Sequence, residues 1–335
     1  MNTLAVAALT GFVPPQWFTN PHVQSILPTL RIRRRAVMQR AAELVRQGAP
    51  ETLDCGNGVR LLGHLATQAS AGRPHARDLV VLIHGWEGNA DSLYVLSLGG
   101  YLFARGCDVF RLNLRDHGPS HHLNEGVFHS CLLDEVIGAV ADVQRRFAPE
   151  RLSVAGFSLG GNFALRVAAN GPQHGLHLER AIGICPVLRP RSTVDALDRM
   201  FIYREYFLYA WKRSLQRKQA LFPKRYRFEH VLEQNTIARM TELMLEHYSE
   251  FQSLDHYLDG YALTGARLAG LQVPAHMLIA LDDPIIPAHD LSLVARNPLL
   301  EVIRSPIGGH CGFMDHWRRE SWADRQVARL LGVDA

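Results

Sequence analysis

The stretch 151-RLSVAGFSLGGNFALRVAAN-170 joins a short apolar run to a helix-length segment through the turn 156-GFSLG-160. A serine between two glycines at the end of a buried strand is typical of a nucleophile elbow, a tight turn that exposes one hydroxyl. The glycines relieve crowding in such a turn, and the following helix points its free N–H groups toward the serine. Ser158 is therefore the predicted nucleophile, and the alternative is a glycine-rich turn without chemistry.

Strand-like and helix-like segments alternate along most of the chain. Short apolar runs that end in turn residues predict strands at 78–85, 108–118, 151–158, 180–186, 275–284 and 300–309. These runs do not alternate apolar with polar residues, which is typical of parallel strands that helices cover on both faces. The sequence therefore predicts an α/β protein with a mostly parallel, doubly wound sheet.

Two segments lie outside this alternation. Residues 1–50 form an arm rich in proline and arginine, which we expect to pack on the core. Residues 190–265 contain no convincing strand, and the simplest interpretation is a helical insertion that caps the carboxyl ends of the strands. The core then comprises residues 51–189 and 266–335.

Composition narrows the class of protein. The chain has 335 residues, of which 47% are hydrophobic and 20% charged, so it can bury a sizeable core. A net charge of +4 is too small to indicate nucleic-acid binding by itself. The five cysteines are scattered without a Cys-x-x-Cys pair, which predicts neither a disulfide framework nor structural zinc and favours the cytoplasm. We expect no signal peptide and no membrane span.

A serine hydroxyl needs a base that takes its proton, and in this fold the order is serine, acid, then histidine. His310 in 307-IGGHCGF-313 follows the last predicted strand, and the Gly-Gly step would let its imidazole reach Ser158. Two other late histidines fit less well, because His289 lies too close behind its strand and His316 falls in a predicted terminal helix. His310 is therefore the predicted base.

The acid that orients this base is expected after the preceding strand, in 281-LDDPIIP-287. Asp283 stands four residues before Pro287 and is the predicted acid, with Asp282 as the alternative. The other of the two is expected to cap the turn. The acid would fix the imidazole tautomer and stabilise the imidazolium that forms during the reaction.

An oxyanion hole completes the predicted site, because negative charge develops on the carbonyl oxygen. The N–H of Leu159, directly after the nucleophile, is one expected donor. The second is expected from 84-HGWEGN-89, where the N–H of Trp86 is the candidate. A plain turn is the alternative interpretation of this loop.

Together these residues resemble the α/β-hydrolase superfamily and, more narrowly, its YheT-type branch. The arm 11-GFVPPQWFTNPHVQSILPTLRIRRR-35 is similar to the opening signature of that branch. Further matches follow in the same order: 84-HG-85, 87-EG-88, 128-FHS-130, 156-GFSLGGN-162, 282-DDP-284 and 308-GGH-310. The resemblance spans nearly the whole chain. It implies a cofactor-free serine esterase that acts on short acyl esters or lipids, with Ser158, Asp283 and His310 as its triad.

Two departures from this pattern border the expected pocket. The loop at residues 116–120 reads Asp-His-Gly-Pro-Ser, where the branch is usually Arg-Gly-rich. The segment before 273-VPAH-276 is also shorter than usual. The substrate range of the branch therefore transfers poorly to this chain.

The expected function is hydrolysis of a small-molecule or lipid ester through an acyl-enzyme, with no cofactor. The same triad also serves thioesterases, acyltransferases and amidases. A non-catalytic ligand-binding protein on the same fold is a further alternative. An intact triad distinguishes the enzyme from that last class.

Several polar segments have a plainer interpretation. The four histidines within 115–130 match no zinc spacing, so we expect a loop that shapes the pocket mouth and no metal site. The basic runs 31–35 and 212–227 are typical of solvated helical faces. Contact with an anionic membrane or an acidic substrate is their second interpretation, and nucleic acid is not expected. The arm residues Asn20, His22 and Gln24 are expected to satisfy buried backbone groups.

Overall fold

The structure, a computed structural model, describes residues 12–333. Its eight strands are β1 (Ala49–Asp54), β2 (Arg60–Ala66), β3 (Asp78–Ile83), β4 (Asp108–Asn113), β5 (Arg151–Phe157), β6 (Arg180–Ile184), β7 (Ala275–Ala280) and β8 (Leu300–Ser305). They form one sheet in the order β1-β2-β4-β3-β5-β6-β7-β8. The pairs from β4 to β8 are parallel, while β1 and β2 add an antiparallel edge. The predicted fold class is confirmed.

The six predicted strands correspond to β3 through β8. Strands β1 and β2 were not predicted, because β1 is largely exposed and carries few apolar residues. They form a hairpin whose loop holds Gly56, Asn57 and Gly58, all with positive φ. A Gly-Asn-Gly loop is a known hairpin signal, so the sequence did contain a cue for this pair.

Helices flank the sheet on both faces. The arm contains α1 (Pro21–Ile26), α2 (Arg31–Arg40) and α3 (Ala42–Gln47), and the core contains α4 (Leu93–Phe103), α5 (Leu133–Phe147), α6 (Leu159–Asn170) and α12 (Trp322–Leu331). One face is packed by α5 and α6, and the other by α4, α12 and the arm. Within the described part of the chain, no helix combines the length and the apolarity that crossing a membrane requires.

The segment between β6 and β7 is helical. It contains α7 (Pro190–Arg199), α8 (Phe201–Leu221), α9 (Glu229–Leu232), α10 (Ile237–Tyr248) and α11 (Leu254–Gly260). We call these five helices the cap. Their apolar side chains join the same hydrophobic cluster as α5 and α6. Cap residues also line one cavity with Ser158, which directly follows β5, so the cap lies at the carboxyl-terminal edge of the sheet.

The last helix begins later than the sequence suggested. Ser321 caps α12 by accepting the N–H of Asp324, and Asp324 Oδ2 accepts the N–H of Ser321 in return. This capping box fixes the start of the helix at Trp322. The prediction that His316 lies in a terminal helix is therefore wrong, and that residue belongs to the loop before it.

A buried ion pair joins the cap to the core. Lys218 of α8, which is 1% exposed, donates from Nζ to Asp116 Oδ1 at 2.8 Å and to the carbonyl of Asn124 at 2.6 Å. Asp116 Oδ2 accepts the N–H of Phe128 at 2.9 Å. Burial raises the pKa of Asp116 and lowers that of Lys218, and each charge opposes the shift of the other. Each buried side chain thus needs the opposite charge of the other to remain ionised.

We expect Lys218→Met to lower the free energy of unfolding by about 3–5 kcal/mol, because it leaves the Asp116 carboxylate buried without its counter-ion. Urea unfolding followed by circular dichroism measures this change. Arg225→Met is the matched control, since it removes an exposed pair with Glu125 and a contact with the Tyr226 ring and is expected to cost less than about 1 kcal/mol. Equal stability of the two variants would contradict the ion-pair argument.

Candidate active site

The turn after β5 has the strained geometry of an elbow. Ser158 has φ 54° and ψ −116°, a conformation that non-glycine residues rarely adopt. A Cβ added to Gly156 would lie 2.2 Å from the carbonyl oxygen of Gly160, and one added to Gly160 would lie 2.3 Å from that of Ile83. Both glycines are therefore required for α6 to begin so close to β3 and β5.

His310 and Asp283 are in direct contact. Nδ1 of His310 lies 2.9 Å from Oδ2 of Asp283, whose side chain is almost fully buried. The second carboxylate oxygen, Oδ1, accepts the N–H groups of Ile285 at 2.8 Å and Ile286 at 2.9 Å. The carboxylate is thus fixed by its own turn, and it leaves Nε2 of His310 directed away from Asp283.

The neighbouring Asp282 plays a different part from the one expected. Its Oδ1 accepts the N–H of Gly309 at 2.9 Å, while its Oδ2 is buried with no hydrogen-bond partner among the described residues. Asp283 contacts the histidine as expected, but the expectation that the other aspartate caps the turn is wrong. The two oxygens of Asp283 do both, and Asp282 holds the backbone just before His310.

Two cysteines adjoin the histidine and were missed from the sequence. The N–H of Cys311 lies 3.4 Å from Cys185 Sγ, and the Cys311 thiol lies 3.4 Å from the carbonyl oxygen of Ile184. Burial opposes ionisation of Cys311, yet contacts with Cys185 and His310 lower the pKa of its thiol to about 6. The available signal was positional, because Cys185 directly follows β6 and Cys311 directly follows His310 in the loop after β8.

The electrostatic balance at His310 follows from these neighbours. Burial lowers the pKa of the imidazole, whereas the Asp283 carboxylate and the Cys311 thiol raise it. The net result is a pKa well above the ordinary 6.5. The site therefore stabilises the imidazolium form.

The loop after β3 touches the nucleophile. A Cβ added to Gly85 would lie 3.4 Å from Cβ of Ser158, which puts the backbone around Trp86 beside the serine. Leu159 is the first residue of α6, so its N–H has no intrahelical acceptor. The Trp86 ring stacks on Phe207 of the cap, with centroids 5.2 Å apart and planes 8° apart. The structure thus brings both predicted donor residues to Ser158.

One of the four histidines in the 115–130 stretch braces this loop. Nε2 of His117 accepts the N–H of Glu87 at 3.2 Å, and its Nδ1 lies 2.7 Å from the carbonyl oxygen of Arg115. Burial lowers the pKa of His117 to about 4, which keeps the imidazole neutral and able to accept. Across residues 12–333, no three His, Cys, Asp or Glu side chains are grouped so that they could hold a metal ion.

The arm reaches the catalytic loop from the other side. Ser25 Oγ accepts the N–H of His310 at 2.8 Å. The buried amide of Gln24 donates to the carbonyls of Phe18 and Met314 and accepts the N–H of Met314. These bonds tie the start of the chain to the segment that follows His310. Ser25 was not singled out from the sequence, because its partner is 285 residues away.

The other two polar arm residues have local and cap contacts. Asn20 accepts the N–H groups of His22 and Val23 and thereby caps α1. His22 Nδ1 lies 3.0 Å from the hydroxyl of Tyr203 in α8. The expectation of buried backbone contacts therefore holds for Gln24, whereas Asn20 is exposed and His22 joins the arm to the cap.

Ser158 lies where two cavities meet. The first has about 880 Å³ of atom-free space, including space open to solvent, and is lined mainly by apolar cap residues, among them Val194, Leu197, Met244 and Leu258. The second has about 1360 Å³ by the same measure and lies between the arm, the loop after β3 and the start of α8. Both cavities are lined by Trp86, Ser158, Phe207, Ile285 and His310.

Comparison with known proteins identifies the family. A protein-family model described as "Alpha/beta hydrolase family" matches residues 80–321 of the sequence. The chain belongs to the alpha/beta hydrolase family. The matched range includes the elbow, both late aspartates and His310, so this α/β-hydrolase contains the whole candidate site within its family region.

Relatives of the chain agree with this assignment. "Putative esterase YheT" of Escherichia coli K12 is 22% identical over 315 residues, covering 90% of this chain and 87% of the relative. An "Abhydrolase domain-containing protein" of Dictyostelium discoideum is 21% identical over 96% of this chain and 81% of its own length. The predicted YheT-type resemblance is confirmed, and the comparisons support a hydrolase.

A solved structure shows the same fold. A serine hydrolase from Cycloclasticus zankles superposes with a TM-score of 0.56 at 14% identity, covering 85% of this chain and 98% of its own. At this identity the likeness concerns the fold alone.

Proposed function

We propose that this α/β-hydrolase cleaves carboxylic esters through an acyl-enzyme on Ser158. The observation that carries the proposal is the Asp283–His310 contact at 2.9 Å beside an elbow serine that lines the same two cavities. A serine becomes a useful nucleophile only when a base is held within reach and a third group orients that base.

In the proposed reaction, Ser158 Oγ attacks the ester carbonyl carbon while Nε2 of His310 takes the hydroxyl proton. The N–H groups of Trp86 and Leu159 donate to the resulting oxyanion. Collapse of the intermediate expels the alcohol, which receives the proton from His310. Water, deprotonated by the same imidazole, then releases the acid and restores Ser158. Throughout, Asp283 stabilises the imidazolium.

In the free protein, the contact between Ser158 and His310 that this reaction requires is not yet formed. Within residues 12–333, no hydrogen bond joins Ser158 Oγ to His310. Catalytic contacts of this kind are often long before substrate binds and shorten in the complex. The elbow is held by close packing at Gly156 and Gly160, and the Asp283 carboxylate is held by its own turn, so we expect side-chain rotation to close the contact.

The two cavities suggest where the acyl chain and the alcohol group of the ester bind. The first is apolar and lies beneath the cap helices, which suits an acyl chain. The second has polar lining from Asn89 and Ser92 and adjoins the cap surface at Tyr206, which suits the alcohol group. The proposed substrates are therefore esters of short- to medium-chain acids, including lipid esters.

A chain-length panel tests this function. We expect purified protein to hydrolyse p-nitrophenyl esters with a kcat/KM maximum at short or medium acyl chains. Met244→Trp, which fills the first cavity, should move the maximum to shorter chains. Ile202→Trp, in the second cavity, is the matched control and should leave the acyl preference unchanged. Absence of turnover across the panel would contradict the proposal.

The pH profile gives a separate prediction. The base must be neutral to accept a proton, and its pKa lies above 6.5, so kcat/KM should fall as pH decreases through a midpoint above 6.5. Because the Cys311 thiol helps to raise the pKa of His310, Cys311→Ala should move that midpoint to lower pH. Initial rates between pH 5 and 9, taken with a neutral ester, measure both effects.

Two variants control this measurement. Cys131→Ala removes a thiol that contacts the carbonyl of Tyr257, and it should leave the midpoint in place. Glu87 lines the second cavity, and burial with the nearby Asp116 raises the pKa of its carboxyl to about 8. If Glu87→Gln has the same midpoint as the parent protein, the titrating group is His310 and not Glu87. A midpoint below 6.5 in the parent protein would contradict the prediction.

A further inference from the structure

The exposed apolar side chains of this protein are concentrated in one region. Nine of the thirteen large hydrophobic side chains exposed in residues 12–333 belong to the arm or to the first half of α8. They are Val13, Trp17, Val23, Leu30, Ile32, Phe201, Ile202, Tyr206 and Tyr209. We call this set the rim patch. Exposed apolar groups mark an interaction surface where they form a contiguous patch.

The two parts of the rim patch meet at the mouth of the second cavity. The arm and α8 are joined by the His22–Tyr203 contact at 3.0 Å. Ile26 and Thr29 of the arm line this cavity, and so do Ile202 and Tyr206 of α8. Ile202 and Tyr206 are more than half exposed, so the patch borders an opening that leads to Ser158.

The charge beside the rim patch is positive. Arg31, Arg34 and Arg35 are exposed on α2, next to Leu30 and Ile32. Two acidic side chains near the patch, Glu205 and Asp91, are paired with arginines. Glu205 contacts Arg204 at 3.2 Å, and Asp91 contacts Arg111 at 2.6 Å.

The second basic run, residues 212–227, mainly makes contacts within the protein and is not the surface that we expect to bind a membrane. Four of its cations are engaged within the protein: Lys212 with the carbonyl of Gln234, Arg217 with that of Gly118, Lys218 with Asp116 and Arg225 with Glu125. Residues 212–227 therefore hold the cap mainly to itself and to the core. Among the described residues, the rim patch is the largest group of exposed apolar side chains, and the exposed Arg31, Arg34 and Arg35 lie beside it.

We propose that the rim patch docks this protein on the surface of an anionic phospholipid bilayer. Tyrosine and tryptophan favour the level of the lipid headgroups, and arginine pairs with their phosphates while its stem packs on apolar groups. Apolar burial and cation attraction add in such contacts. Docking would direct the second cavity toward the lipid. The proposal does not depend on catalysis and goes beyond the ester hydrolysis proposed above.

Vesicle sedimentation tests the proposal with full-length Ser158→Ala protein, so that hydrolysis cannot alter the lipid. We expect binding to vesicles of phosphatidylcholine with phosphatidylglycerol, much weaker binding to phosphatidylcholine alone, and loss of binding at high salt. A double variant Ile32→Glu and Phe201→Glu should bind at least about tenfold more weakly, because it places charge at two apolar positions that are 64% and 67% exposed.

The matched control is a double variant Leu293→Glu and Leu299→Glu. These leucines are 48% and 39% exposed but lie outside the rim patch, so binding should be unchanged. Circular dichroism checks that both variants fold. The proposal is overturned if the parent does not bind the anionic vesicles or if both variants bind equally. It is also overturned if gel filtration shows a dimer that only the rim variant dissociates, because the patch would then contact a second copy.

Discussion

Replacing Ser158 by alanine should lower kcat/KM for an ester substrate by at least about 10⁴-fold, because it removes the hydroxyl on which we propose that the acyl-enzyme forms. The free energy of unfolding should stay within about 1 kcal/mol of the parent value. No hydrogen bond from Ser158 Oγ is found among the described residues, so the alanine substitution leaves no buried polar group without its hydrogen-bond partner. The strain of the turn remains, since its backbone is fixed by Gly156 and Gly160.

Fluorophosphonate labelling followed by peptide mass analysis tests whether Ser158 is a reactive nucleophile, and it needs no known substrate. We expect one label, on Ser158, that is lost in both Ser158→Ala and His310→Ala. Ser130 lines the first cavity as well, so Ser130→Ala is a matched control that should keep the label. A label on another serine, or an undiminished rate in Ser158→Ala, would show that the elbow is not the nucleophile.

The sequence predicted the parts of this site that depend on local order. The elbow is a five-residue pattern with a tight steric requirement, because a Cβ added to Gly160 would lie only 2.3 Å from the carbonyl oxygen of Ile83 in β3. His310 and Asp283 could be located because each follows a strand, and parallel strands end at the same edge of a sheet. Asp283 and Asp282 could not be separated this way, since the choice depends on which carboxylate faces the imidazole.

The features that were missed depend on contacts between distant parts of the chain. Ser25 holds the backbone of His310 across 285 positions, and Lys218 reaches Asp116 across 102 positions. Neither residue has a sequence neighbourhood that differs from an ordinary helix. Asp116 also lies where the chain departs from the YheT-type pattern, so the resemblance gave no cue to this pair. Such partners follow only from the packing of the arm and the cap on the core.

The adjacent carboxylates provide the sharpest test of the triad. Asp283→Asn should lower kcat/KM by about 10⁴-fold, because an amide can donate to Nδ1 of His310 and would place the proton on Nε2, the atom that must accept from Ser158. The turn should survive, since the asparagine carbonyl can still accept the N–H groups of Ile285 and Ile286. The loss should therefore fall on kcat, with unfolding little changed.

Asp282→Asn is the control, one residue away and of the same chemistry. Its carbonyl can still accept the N–H of Gly309, and its amide would replace an oxygen that has no partner in the described structure. We expect a loss below about tenfold, since the Asp283–His310 contact is untouched. Steady-state kinetics of the two variants, with urea unfolding beside them, decide the assignment. Equal losses would mean that the two carboxylates act as a unit, and a larger loss in Asp282→Asn would transfer the role of orienting acid to that residue.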